Sequence, residues 1–283
     1  MVESLNTNEL LTMTSIPINI ENTYEGEDGL LYCTKCHTRR VTANIIPLFG
    51  KRMPVPCECM KEAERKEKER EEYEAKMQKL DRLRSASLLG ERYKDTTFAK
   101  TDLNVSADFQ KAYKRCKKYC EIADEALKHG YGIYLFGDTG TGKTHLTACI
   151  CNELISQYRQ CLFTNFLEVA KLIRSTWNNN TDAEVVIKRI CEIDFLFIDD
   201  IGTEILKKNG EDNWLQEQVF DVINKRYNNR KPTIFSSNYS LNQLITERGM
   251  MQKTVERIAE MSKAIIKVSG ESYRMKNRQG GLF

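Results

Sequence analysis

The sequence predicts an α/β fold in which a parallel five-stranded sheet lies between helices, preceded by a small cysteine-rich segment and a charged helix. Five short apolar runs of strand type predict the sheet: GIYLF, CLFTNF, DFLFIDD, PTIFSSN and AIIKVSG. Stretches of helical character, each about 10–20 residues long, separate these runs. Strands that alternate with helices pair in parallel, because each crossover helix covers one face of the sheet.

Composition restricts the class of protein without defining its function. The chain has 283 residues, 29% of them charged, and its net charge of +3 is too small to indicate nucleic-acid binding by itself. No apolar run approaches the roughly 18 residues of a membrane span, so we expect no membrane partner. The N-terminus has neither a basic start nor an apolar run of the secretory type. We therefore expect a cytoplasmic protein whose ten cysteines are reduced.

Four cysteines lie in two close pairs near the N-terminus, Cys33 with Cys36 and Cys57 with Cys59. Cys33, Cys36 and His37 form C-x-x-C-H, the pattern of c-type haem attachment, but the missing export signal counts against haem. Two close pairs of thiols supply the four tetrahedral ligands that structural zinc requires. The residues between the pairs would then form a small hairpin whose core depends on the metal. Unligated thiols and a redox dithiol are the alternatives, and His37 is a possible substitute ligand.

Changes in composition divide the chain into three parts. We predict an N-terminal zinc-binding domain at 1–60, a charged helical linker at 61–92 and the α/β domain at 93–283. In KEAERKEKEREE at 61–72 only Ala63 is uncharged, so this helix is solvated and stabilised by pairs such as Glu62 with Lys66. Further along, Met77, Leu80 and Leu83 are expected to dock on a partner or on the next domain, and residues 85–90 are expected to form a hinge.

The loop GDTGTGKT matches G-x-x-x-x-G-K-[ST] at every required position, after one predicted strand and before a helix. Its glycines let backbone N–H groups surround phosphates at a helix N-terminus. Lys143 would reach the β- and γ-phosphates of ATP, and the Thr144 hydroxyl would reach Mg²⁺. His145 follows on the helix surface. The predicted nucleotide-binding residues are Gly137, Asp138, Thr139, Gly140, Thr141, Gly142, Lys143, Thr144 and His145.

Polar residues end the two strands that supply the remaining chemistry. Mg²⁺ requires a carboxylate at a neighbouring strand end, and FLFIDD places Asp199 and Asp200 there. We predict that Asp199 holds the metal and that Asp200 polarises the attacking water. Asn238, at the end of TIFSSN, would orient that water without adding negative charge.

The order of these motifs, followed by VERIAEMSKAIIKVSGESYR, resembles the AAA+ ATPases over roughly residues 93–274. Within them it is similar to the DnaC and DnaI helicase loaders and to the transposase helper IstB. The resemblance implies that Asn238 is sensor 1, that Arg257 is an arginine finger and that Arg274 is a second phosphate contact. Only about 14 residues follow the last strand, so we expect no C-terminal helical lid, and weak ATP hydrolysis stimulated by a partner.

The resemblance implies a loader of a DnaB-type replicative helicase onto single-stranded DNA, which assembles on the helicase and grips it through the zinc domain. The alternatives are an IstB-like helper of a DNA transposase and a weakly hydrolysing replication-initiation scaffold. The insert after the second strand of the predicted sheet is the candidate DNA contact. Its basic and aromatic residues are Phe166, Lys171, Arg174, Trp177, Lys188 and Arg189.

Overall fold

The computed structural model describes residues 22–165, 167–169, 182–203 and 210–271. Arg274 lies outside the described residues, and so do four members of the predicted DNA insert: Phe166, Lys171, Arg174 and Trp177. The expectation that no helical lid follows the last strand also concerns residues outside this part. The chain divides into two compact units, Met1–Met77 and Gln78–Phe283.

The second unit contains a parallel sheet of five strands: β3 (Gly132–Phe136), β4 (Cys161–Asn165), β5 (Phe195–Ile201), β6 (Thr233–Ser237) and β7 (Ser262–Lys267). Their spatial order is β4-β5-β6-β3-β7. Each of the five apolar runs forms one strand, so the predicted parallel five-stranded sheet is confirmed. β3 lies between β6 and β7, and its carboxyl end therefore meets residues from distant parts of the sequence.

Helices cover both faces of this sheet. They are α2 (Ala107–Glu121), α3 (Ala123–His129), α4 (Lys143–Ser156), α5 (Asp182–Glu192), α6 (Gly210–Asn228), α7 (Leu241–Thr246) and α8 (Gln252–Met261). Two 3₁₀ turns, Glu91–Tyr93 and Phe98–Lys100, precede α2. Among the described residues no helix is long and apolar enough to span a membrane.

Successive strand residues belong to different hydrophobic clusters. Ile133 and Leu135 pack in one cluster, which includes α2 and α4, whereas Tyr134 packs in a second cluster, which includes α6 and α8. Because side chains alternate between the faces of a strand, both faces of the sheet are buried. The six remaining cysteines are buried as predicted: Cys116, Cys120, Cys149, Cys151, Cys161 and Cys191.

A fully buried arginine supports the edge of the sheet where the strands begin. The guanidinium of Arg226, on α6, donates to the carbonyls of Ile190, Ile193 and Pro232 and to the Thr233 hydroxyl, at 2.6–3.0 Å. These acceptors lie at the end of α5 and the start of β6. Because buried carbonyls need donors, Arg226 helps to satisfy the carbonyls at this end of the sheet; that of Pro232 also accepts from the Leu196 amide.

The first unit contains a short antiparallel hairpin, β1 (Thr23–Glu25) with β2 (Leu31–Cys33), and the start of the long helix α1 (Glu58–Ala86). The segment between the cysteine pairs forms only isolated bridges, such as Val41 with Pro54. The small core expected there is largely wrong, because Val41 is buried but Ile45, Leu48 and Phe49 are exposed. A loop this short has no opposing layer against which to bury those side chains.

The C-terminal part of α1 packs on the second unit, to which it belongs. Leu80 and Leu83 contact the cluster that includes α2 and α4. The hinge expected at 85–90 is wrong, because Ser87 and Leu89 are buried and the Ser87 carbonyl accepts a 2.7 Å hydrogen bond from Phe163 N–H. That bond uses the outer edge of β4, so the residue that follows α1 is held against the sheet.

Candidate nucleotide site and cysteine centre

The phosphate loop connects the end of β3 to the first residue of α4, as predicted. Gly137 and Gly142 adopt φ values of +150° and +96°, which side chains rarely tolerate. A Cβ on Gly137 would lie 2.1 Å from the Val268 carbonyl oxygen, and one on Gly142 would lie 2.7 Å from the Phe109 ring. Only glycine therefore fits both positions, and the loop closes tightly over the N-terminus of α4.

Lys143 is buried, and its ammonium donates to the carbonyls of Gly137 at 2.9 Å and Asp138 at 2.8 Å. The Thr141 hydroxyl donates to the same Asp138 carbonyl. These bonds hold the loop in a curved form with the charge of Lys143 beneath it. Positive charge and a helix N-terminus together favour a bound anion.

Asp199 and Thr144 meet beside the loop. The Thr144 hydroxyl donates to Asp199 Oδ2 at 3.0 Å, and the Ser236 hydroxyl donates a short hydrogen bond to Oδ1. Burial raises the pKa of the Asp199 carboxyl above its usual value, while the bonds from Ser236 and Thr144 oppose that rise. A hydroxyl paired with a carboxylate is the oxygen donor set that Mg²⁺ prefers, so these residues fit that ion.

Asp200 has an unusual backbone conformation for a residue inside a strand. Its φ is +52°, and the pairing of β5 with β6 is irregular between Ile198 and Ile201. The Asp200 amide donates to Ser236 Oγ at 3.1 Å, and its side chain is exposed. Left-handed backbone costs energy and clusters at functional sites. Here it turns the second carboxylate away from the buried side that Asp199 occupies.

One cavity of about 240 Å³ brings most of the predicted residues together. It is lined by Thr139, Gly140, Gly142, Lys143, Thr144, His145, Asp200 and Asn238. It is also lined by Arg92, Tyr93 and Thr96, which sequence reasoning missed because they belong to no recognised motif. Asn152, on α4, donates to the carbonyls of Tyr93 and Thr96. These bonds attach residues 92–96, which precede α2, to the helix that follows the phosphate loop.

His145 is half-buried rather than on the helix surface. Its Nε2 lies 2.9 Å from the Thr101 hydroxyl, and burial lowers the pKa of the imidazole. The ring is therefore neutral near pH 7, and it contributes shape and hydrogen bonding to the cavity rather than charge.

Arg257 does not line this cavity. It lies on α8, where it forms a 2.6 Å ion pair with Glu260 and stacks over the Tyr227 ring at 4.5 Å. Its side chain is about one-third exposed. The structure therefore does not bring Arg257 to the nucleotide cavity of its own chain, and its predicted role would require a neighbouring subunit.

The four N-terminal cysteines converge on a common point. The Sγ atoms of Cys33, Cys36, Cys57 and Cys59 all lie within 4.8 Å of one another. Cys59 Sγ is 3.3–3.5 Å from the other three. Tetrahedral zinc bound by four thiolates separates its sulfur atoms by about 3.8 Å. The donor set and its spacing therefore fit zinc.

The surroundings lower the pKa of Cys36 and Cys57, whereas hydrogen bonds with Cys57, Cys36 and Cys33 raise the pKa of Cys59 to about 12. The Thr38 hydroxyl, 3.0 Å from Cys36 Sγ, helps to lower the pKa of Cys36 to about 5. Burial raises the pKa of Cys57, but hydrogen bonds led by that from Arg40 outweigh this effect and lower it overall. Arg40 is itself buried and lies 3.4 Å from Cys57 Sγ. A buried cation beside four thiolates would balance part of the negative charge of a metal centre.

His37 is not part of this cluster. Its Nδ1 lies 3.1 Å from the Tyr24 hydroxyl, and its backbone has a φ of +54°. The turn after Cys36 thus directs the imidazole toward the β1–β2 hairpin. The convergence of four sulfur atoms makes the histidine unnecessary as a ligand.

The sheet order, the phosphate loop and the paired carboxylates define a P-loop protein of the AAA+ class. The crystal structure of the DnaC helicase loader has the same fold, with a TM-score of 0.55, 21% identity, and coverage of 64% of this chain and all of that one. The family model described as "IstB-like ATP binding protein" matches residues 68–281. The chain belongs to this family.

Two curated proteins of Bacillus subtilis (strain 168) are similar in sequence. The phage-like element PBSX protein XkdC is 31% identical over 176 residues, which is 60% of this chain and 63% of XkdC. The replicative helicase loader DnaI is 28% identical over 192 residues, covering 63% of this chain and 58% of DnaI. This chain thus spans less than two thirds of either relative. The predicted resemblance to the DnaC and DnaI loaders is confirmed.

Proposed function

We propose that this protein is an ATP-dependent loader that places a hexameric replicative DNA helicase of the DnaB type on single-stranded DNA. The observation that supports this most directly is the convergence of Lys143, Thr144, Asp200 and Asn238 on one cavity. Proteins with the same fold and a similar sequence are named as helicase loaders. The name of the family describes ATP binding.

The chemistry follows from the position of each side chain. Loop amides and Lys143 would hold the phosphates of ATP, and Lys143 would exchange its two carbonyl partners for phosphate oxygens. Thr144 and Asp199 would hold Mg²⁺, which when bound neutralises charge on the phosphates. Asp200, which lines the cavity, would polarise the attacking water, and Asn238 would orient that water.

Hydrolysis by this arrangement would be weak in an isolated chain, because Arg257 lies outside the cavity. In an assembly on the helicase, a neighbouring protomer would supply Arg257 to stabilise the transition state, after release from Glu260. Arg274 is a second candidate phosphate contact. Nucleotide would therefore act as a switch: binding favours assembly, and hydrolysis triggers release of the loader into the cytoplasm.

The cysteine centre would form part of the helicase-binding module. Zinc held by Cys33, Cys36, Cys57 and Cys59 would cross-link the residues before α1 to its first turn. That segment is too small to fold on apolar contacts alone. We assign this zinc domain to 1–60, the charged linker to 61–92 and the ATPase domain to 93–283. The exposed side chains of Ile45, Leu48 and Phe49 provide apolar surface on the zinc domain.

Capture by the purified hexameric helicase of the host tests this proposal. We expect the chain to be retained by the immobilised helicase, and more strongly with ATP and Mg²⁺ than without. No retention in either condition would reject the loader function. The IstB-like family model favours a second candidate, an ATP-binding helper of a DNA transposase. Retention by a transposase and not by the helicase would select that candidate instead.

A further inference from the structure

A second cavity of the ATPase unit, of about 520 Å³, lies between the end of α1, the start of β4 and helix α5. Cations dominate its lining. The charged side chains are Lys79, Arg82, Lys188 and Arg189 against the single carboxylate of Glu192. Glu192 lies 3.9 Å from Lys188 on the same helix. The cleft therefore has a net positive charge that attracts anions.

This basic cleft is separate from the nucleotide cavity. Gln160 and Cys161, at the start of β4, and Ile193, just before β5, form its inner end. In a parallel sheet the amino ends of all strands lie on one side, and the phosphate loop lies on the opposite side, at the carboxyl ends. The two cavities have no lining residue in common. A ligand of the basic cleft would therefore bind at a separate place from the ATP that the loop would hold.

The remaining surfaces of the cleft indicate the chemistry of that ligand. Leu83, Ala86 and Val185 provide apolar lining between the cations, and Val185 is 66% exposed. At its border the Lys79 ammonium lies 5.1 Å from the centre of the Tyr158 ring, which is 38% exposed. Basic side chains beside an exposed aromatic ring are the combination that binds single-stranded nucleic acid, with phosphates on the cations and a base on the ring.

The size of the cleft favours a single strand over a duplex. A volume of about 520 Å³ lies in the range of small-molecule sites, so it admits a segment of nucleotide size but not a rigid double helix. We propose that this cleft binds the phosphate backbone of single-stranded DNA. The inference rests on the proposed loader function and deepens it, because it assigns the DNA contact to α1 together with α5.

The proposal is tested with the full chain and a labelled oligothymidylate of about 16 nucleotides, a length within the range of single-strand sites. The cleft variant is Arg82→Gln with Arg189→Gln. The control is Lys117→Gln with Lys118→Gln, two exposed lysines of α2 outside the cleft, which changes the net charge equally. Unchanged nucleotide binding and thermal midpoint show that both variants are folded.

Each phosphate contact contributes about 0.7 to the slope of log affinity against log salt for a single strand. The cleft variant should therefore lower this slope by about 1.4 and weaken binding about 25-fold at about 0.1 M salt. The control should match the wild type. An equal loss in both variants would mean that only net charge matters, and no loss in either would mean that the cleft is not used. Both results overturn the proposal.

Helicase capture by the same variants separates this proposal from the proposed function. If the cleft variant still binds the oligonucleotide but loses the helicase, the cleft is a protein-docking surface and the inference is wrong. If the oligonucleotide results hold while the wild-type chain fails to capture the helicase, the loader function is wrong and the nucleic-acid site stands.

Discussion

Ser236 donates a hydrogen bond directly to Asp199, so the end of β6 positions a carboxylate near the end of the neighbouring strand β5. The Ser236 hydroxyl donates to Asp199 Oδ1 and also accepts the amide proton of Asp200. One buried hydroxyl therefore orients both acidic residues of β5. Asn238 follows two residues later and lines the nucleotide cavity. A single strand end thus connects Asn238, proposed to orient water, to Asp199, proposed to hold the metal.

Replacing Ser236 with alanine should impair Mg²⁺-dependent hydrolysis of ATP while sparing nucleotide binding without Mg²⁺. Hydrogen bonds to charged groups contribute about 1.5–3 kcal/mol, so we expect the rate to fall about 10- to 100-fold. The bond from Ser236 lowers the pKa of Asp199, and its loss would raise that pKa further. Because the ionised carboxylate is required, activity should be lost at a higher pH as the solution is acidified.

The matched control for this variant is Ser240→Ala. Ser240 caps α7 through its side chain, so its loss costs about 1 kcal/mol of stability without touching the carboxylates. An identical pH profile for wild type and Ser236→Ala would show that the bond to Asp199 is not used.

Lys143→Ala and Asp200→Asn should separate binding from turnover. Loss of Lys143 removes the charge beneath the loop, and we expect no detectable binding of a fluorescent ATP analogue. Asparagine tolerates the positive φ of position 200, so Asp200→Asn keeps the backbone and removes only the charge. Binding should be retained and hydrolysis should fall about 10²- to 10⁴-fold. Hydrolysis by Asp200→Asn at the wild-type rate would contradict the role of Asp200 in polarising water.

Arg257→Ala should reduce hydrolysis in the helicase-bound assembly about 10³-fold or more, as expected for loss of an arginine finger. Because the side chain lies outside its own cavity, adding the Lys143→Ala variant should restore part of the activity. A mixed interface in which the Arg257→Ala protomer gives the cavity and the Lys143→Ala protomer gives Arg257 would be intact, whereas the reverse order would lack both groups. Lys253→Ala, on the same helix, is the control and should hydrolyse ATP normally. Absence of rescue by Lys143→Ala would contradict action on a neighbouring subunit.

Metal analysis of the purified chain should find one zinc ion, and Cys36→Ser or Cys57→Ser should lose it. Cobalt in place of zinc should show the thiolate charge-transfer absorption of a four-sulfur site. Chelation should unfold the first unit and leave nucleotide binding unchanged, because the phosphate loop belongs to the second unit. Cys191→Ala, which alters a cysteine outside the cluster, should keep the metal. Equal zinc content in all three variants would contradict the four-cysteine site.

Much of this architecture follows from local sequence. The inner strands β3, β5 and β6 are buried on both faces and are therefore largely continuous apolar runs, which could be predicted. The edge strands β4 and β7 are partly exposed, but their apolar residues also allowed them to be predicted. The phosphate loop and the two cysteine pairs are also local, because a few consecutive residues supply each set of ligands. The four thiols could therefore be grouped without knowledge of the fold.

Contacts between distant segments could not be predicted in this way. Ser236 acts on Asp199 only because β6 lies beside β5, and in the sequence it resembles an ordinary strand-end serine. Arg226 occupies a helix of mixed composition, and nothing nearby in the sequence indicates that five polar partners surround it. The basic cleft depends on the docking of α1 beside α5, and those two helices are about 100 residues apart in the sequence.

Transfer of the helicase to a closed circle of single-stranded DNA tests the central claim most directly. A closed circle has no end to enter a ring, so the helicase can bind only if a loader opens the ring or assembles it around the strand. We predict that the wild-type chain with ATP and Mg²⁺ produces stable helicase–circle complexes and that Lys143→Ala produces none. Equal numbers of complexes with and without the wild-type chain would contradict the loader function.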